Sequence, residues 1–76
     1  MFAAQQLALA NLRFLARGGQ PPAYYDHLEE LLGVLVGEWK SLTLSDNEAL
    51  ILSAQKKLLQ CELTYLRSVA VRGALR

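Results

Sequence analysis

The sequence predicts an all-α fold of three helices, and three observations carry that prediction. Apolar residues recur at spacings of three and four over long stretches. The helix-breaking residues gather in one place, Gly18-Gly19-Gln20-Pro21-Pro22. Ser45-Asp46-Asn47-Glu48 has the S-x-x-E form of a capping box and stands ahead of an apolar run. The expected arrangement is up-down-up, or a helical hairpin with the first helix docked on another copy. In either case oligomerisation is expected to complete it.

The first helix is expected over residues 2–16. Ala3, Leu7, Ala10 and Phe14 fall on one side, flanked by Ala4, Ala8, Leu12 and Leu15, and the alanine content favours the helix. Leu7 and Phe14 are expected as its anchors. Arg17 complements the negative end of the helix dipole, and Gly18-Gly19 supplies a residue able to turn left-handed.

Each proline biases its predecessor away from the α region, so Gln20-Pro21-Pro22 interrupts the helix. Pro22 can open the second helix, expected over 22–41. Its stripe reads Tyr24, Leu28, Leu31, Leu35, Trp39 and Leu42 along one edge and Tyr25, Leu32 and Val36 along the other. Leu31, Leu35 and Trp39 are expected at the core. Gly33 and Gly37 fall on the outward face beside Val34, at a spacing that permits close approach of another helix.

The link from Ser41 to Leu44 is short enough to demand a tight reversal. The third helix is then expected over 46–71, with Arg72 to Arg76 frayed. Its apolar residues cover an arc of roughly 220°, where a helix resting on one neighbour needs a stripe somewhat over 100° wide. The arc divides into two seams, Ile51/Ala54/Leu58/Cys61/Tyr65/Val69 and Leu52/Leu59/Leu63/Leu66/Ala70. Two seams imply neighbours on two sides. The second seam is expected to form a continuous ridge for a partner. Leu52, Leu59, Leu63, Leu66, Gly33 and Gly37 are therefore the candidate partner-binding residues. Glu62 lies inside the arc, and an arginine, Arg13 or Arg17, is expected to reach it.

The 76 residues form one domain, and a chain this short buries only about 60% of its unfolded surface. Its composition is 53% apolar and 20% charged, against about 45–50% and about 25% in ordinary domains. The excess apolar surface needs cover from outside the chain. The net charge of +1 is unevenly placed, with an acidic middle (Asp26, Glu29, Glu30, Glu38) between basic neighbours. That distribution favours packing among segments or copies over a basic face for nucleic acid.

One cysteine and one histidine cannot supply a disulfide framework or a structural zinc site. Cys61 reads as a small hydrophobe and His27 as a surface residue. The serines form no G-x-S-x-G turn, and Gly18-Gly19 lacks the Lys and Ser/Thr of a phosphate loop. No enzyme, cofactor or metal is expected. The N-terminus lacks the basic start of a signal peptide, and no apolar run approaches the about 18 residues of a membrane span. A cytoplasmic protein without membrane association is the expectation.

Arg17-Gly18-Gly19 followed by Tyr24 resembles the turn in small YscE-type cochaperones of type III secretion needle subunits. The resemblance is confined to the turn, the long third helix departs from that family's hairpin, and no functional residue is carried over. The residues point to a small protein-interaction module that self-associates and binds a protein partner, of adaptor, chaperone or inhibitor type. The alternative is a nucleic-acid-associated regulator using Lys56, Lys57, Arg67, Arg72 and Arg76.

Overall fold

The computed structural model describes residues 2–75. Among these it contains three helices and no strand: α1 (Phe2–Leu15), α2 (Pro22–Trp39) and α3 (Asp46–Ala74). They run up, down and up in a rod of 47 × 17 × 16 Å. The 29-residue α3 spans nearly all of that length, since its rise of about 1.5 Å per residue gives about 43 Å. Compared with the expected bounds, α1 stops one residue early, α2 ends at Trp39, and α3 continues through Arg72 to Ala74. Arg76 lies outside the described residues.

The turn between α1 and α2 is fixed by the two tyrosines that open α2. Tyr24 Oη donates to the Leu15 carbonyl at 2.8 Å, and Tyr25 Oη donates to the Arg17 carbonyl at 2.7 Å. The Gln20 amide in turn donates to Tyr25 Oη at 3.2 Å. The Arg17 carbonyl just past α1 is thereby satisfied from the next helix, and the Leu15 carbonyl, which also accepts from the Arg17 amide, gains a second donor. Gly19 takes φ +87°, the left-handed conformation expected of this glycine pair. Pro21 is extended and Pro22 opens α2.

The reversal into α3 is closed by the capping box. The Glu48 amide donates to Ser45 Oγ at 3.2 Å, and the Ser45 amide donates to Glu48 Oε1 at 3.0 Å. That backbone hydrogen bond, assisted by the Ser45 side chain, holds the Glu48 carboxyl below its ordinary pKa. A depressed folded value means that the cap's contribution is complete above the unfolded glutamate pKa of about 4.3. It is lost as the pH falls through the lower folded value. A carboxyl-carbon NMR titration should place the Glu48 midpoint below that of a free glutamate; a midpoint at or above it would show that the box does not hold in solution.

Three residues from each helix form the core: Leu9, Leu12 and the adjoining Ala16; Tyr25, Leu28 and Leu32; Leu52, Leu59 and Leu63. No charged side chain is buried among them. The turn hydrogen bonds seat Tyr25 in the interior, which turns α2 so that Leu31 stands 39% exposed while Leu35 and Trp39 cover the edge of the core. The expectation of Leu31 at the centre is thus corrected. Along the bundle, Tyr25 lies with Leu66 and Val69, and Trp39 with Leu52.

Candidate interaction surface

The largest departure from the sequence reading is the rotation of α1 and α3. Leu52, Leu59 and Leu63 are buried in the chain's own core, and Leu66 packs against it. They are not a partner-facing ridge. The seam of Ile51, Leu58, Tyr65 and Val69 faces outward instead, with Leu58 67% and Tyr65 63% exposed.

The reason is legible in the charges on either side of the leucine seam. On the α1 side, Arg13 Nε lies 3.6 Å from Glu62 Oε2. On the α2 side, Arg67 Nη1 lies 3.1 Å from Asp26 Oδ1 and 3.5 Å from Glu29 Oε2. Glu62 and Arg67 flank the leucine seam, so burying that seam lets both find partners at once. Exposed pairs of this kind are worth at most about 1 kcal/mol each. The larger contribution comes from the leucines, each worth roughly 1.5–3 kcal/mol on burial. The competing seam includes Ala54 and Cys61, which offer less apolar area at the same positions.

α1 is turned in the same sense. Leu9, Leu12 and Ala16 face inward, while Leu7 is 63% and Phe14 81% exposed, so the two expected anchors lie outside. Between α1 and α3 runs a groove lined by Gln6, Ala10 and Arg13 on one side and Gln55, Leu58 and Glu62 on the other. Ala10 and Leu58 belong to the groove walls, and helical spacing sets Ala3, Leu7 and Phe14 of α1 and Ile51 and Tyr65 of α3 on the same sides of their helices as these two. Apolar residues are thus exposed on both helices that flank the groove, whose walls also carry Gln6, Arg13, Gln55 and Glu62.

Gly33 and Gly37 do not join that groove. They stand exposed on the outer side of α2 with open space around both, next to Val34 at 63% exposure. Among the proposed partner-binding residues, the structure therefore brings together the four leucines in the core and leaves the glycine pair apart. Leu7, Phe14, Ile51, Leu58, Tyr65 and Val69 are the surface residues that the sequence reading assigned to packing. The signal that could have found them was the double pairing of Glu62 and Arg67, which fixes the rotation of α3.

Cys61, read as a small hydrophobe on an apolar seam, is exposed. His27 is exposed. Among the described residues no group of three His, Cys, Asp or Glu side chains is placed to hold a metal ion. Of the basic residues of α3, Arg67 is paired with α2 and Lys56 lies beside Trp39, while Lys57 and Arg72 are exposed. No helix among the described residues is long and apolar enough to cross a membrane.

Compared with protein-family models, with curated proteins and with solved structures, the chain gives no match.

Proposed function

We propose that this protein is a protein-interaction module that docks through the apolar face shared by α1 and α3, and that self-association is one use of that face. The observation that carries the reading is the outward exposure of Leu7, Phe14, Leu58 and Tyr65 on two neighbouring helices. Single exposed apolar residues are ordinary on a protein surface, but a contiguous patch of several hundred Å² marks an interaction site. The groove beside Leu58 is bridged by the Arg13–Glu62 ion pair and also lined by Ala10 and Leu58, and protein interfaces combine apolar and polar contacts in this way. An adaptor, a chaperone or an inhibitor would each use such a face.

Leu58→Glu tests the proposal, because position 58 is exposed and a charge there costs the fold little. The variant is expected to keep its helicity by circular dichroism and to lose the association that wild type shows in sedimentation velocity and in pulldown from the native host. A folded Leu58→Glu chain that retains every association would overturn the reading. Sedimentation with and without nucleic acid separates it from nucleic-acid binding, in which a mass increase would require the nucleic acid.

A further inference from the structure

We infer that the α1/α3 face is built to receive a second copy of itself in antiparallel orientation, about a twofold axis passing between Leu59 and Gln60. This rests on the docking face proposed above and names its occupant.

The first argument is area. Leu7 and Phe14 on α1 with Ile51, Leu58, Tyr65 and Val69 on α3 leave six large apolar side chains exposed, and a standard interface takes roughly 800 Å² from each partner. The second is the order of residues along α3. Reversing the seam about its midpoint sets Ala54 opposite the partner's Tyr65 and Leu58 opposite the partner's Cys61, so that a small side chain meets a large one at each level. Ile51 falls near the partner's Val69. Such self-complementarity under reversal is the requirement of an isologous twofold interface.

Charge agrees with the reversal. α3 carries Asp46 and Glu48 in its first turn and Arg72 in its last. Antiparallel pairing brings each acidic end to the partner's Arg72, whereas parallel pairing would crowd the carboxylates of both copies at one end. The helix dipoles also oppose each other favourably only in the antiparallel case.

α1 supplies an independent check. Gln6, Leu9, Ala10 and Arg13 line one wall of the groove and Gln55, Leu58, Leu59 and Glu62 the other in the same spacing, and Arg13 pairs with Glu62, so position 10 of α1 stands about level with position 59 of α3. The axis located from α3 therefore crosses α1 between Ala10 and Asn11. Leu7 and Phe14 lie equally far on either side of that point. The same rotation that matches the α3 seams thus sets Leu7 against the partner's Phe14, and the dimer is a two-helix layer packed on its own image.

Disulfide trapping tests the register. In a Cys61→Ser background, Ala54→Cys and Tyr65→Cys are prepared separately, oxidised alone, and oxidised after mixing. Facing positions come within the about 7 Å between Cα atoms that a disulfide tolerates. Each thiol lies about 16 Å along the axis from its own symmetry mate at the rise of an α-helix. The mixture should therefore yield a cross-linked dimer joining positions 54 and 65, and neither variant should cross-link alone. Self-linking of either variant, or a sedimenting dimer that does not link in the mixture, would overturn the antiparallel register. A wild-type monomer that captures other protein through Leu58 would overturn the second copy as occupant and leave the docking-face reading intact.

Discussion

Replacing Leu59 with glutamate is expected to unfold the chain. Leu59 is 4% exposed and sits between Leu52 and Leu63 where α3 meets both other helices. Removing it costs about 2–5 kcal/mol through lost transfer and the cavity left behind. The carboxylate adds several kcal/mol more, because no cation lies inside this core to pair with it. Domains have about 5–15 kcal/mol in total, and one of this size sits towards the low end. Circular dichroism of Leu59→Glu should show lost helicity and no cooperative transition. A helical, cooperatively melting Leu59→Glu monomer would place the leucine seam on the surface and reverse the orientation of α3. The contrast with Leu58→Glu, one residue away, makes the pair a direct reading of that orientation.

The second large effect is expected at Tyr25, the largest of the fully buried side chains. Tyr25→Ala removes its packing against the core at a cost of about 3–5 kcal/mol. It also frees the turn, since the hydroxyl both donates to the Arg17 carbonyl and accepts from the Gln20 amide. Tyr25→Phe isolates the second contribution. It keeps the ring and removes two part-buried hydrogen bonds, at about 0.5–1.5 kcal/mol each. Urea denaturation should order the midpoints as wild type, Tyr25→Phe, Tyr25→Ala. Equal midpoints for wild type and Tyr25→Phe would mean that the turn stands without this clamp.

How much of this could be read from the sequence differs sharply between element and orientation. The helices were legible because their boundaries rest on local chemistry: the glycine and proline cluster after Arg17, and the reciprocal hydrogen bonds of Ser45 and Glu48. The pairing of Glu62 with Arg13 was legible too, because a carboxylate inside an apolar arc needs a cation. Which of two apolar seams turns inward is a different kind of question. Both seams of α3 satisfy helical periodicity, and both stripes of α1 do. The choice depends on contacts between helices: the packing of the larger leucine seam, with Arg67 reaching Asp26 and Glu29 and Tyr25 reaching back to Arg17 in accord with it. Periodicity fixes a face only where there is one apolar stripe to fix. On α2, where the stripe is single, the reading missed by about one position, with Tyr25 and Leu32 taking the places expected of Tyr24 and Leu31.

The unbroken course of α3 has a mechanical consequence. Sharp helix kinks arise at proline, at glycine, at inserted turns or where a side chain or water enters the backbone ladder. Neither proline nor glycine occurs in α3 before Gly73. The helix runs nearly the whole 47 Å of the molecule, and both of its neighbours lie flat along it. The fold therefore offers no hinge between its two ends. The two ends of the rod, at Gly19 and at Ser45, are thereby kept at a fixed separation and a fixed mutual rotation by one continuous helix.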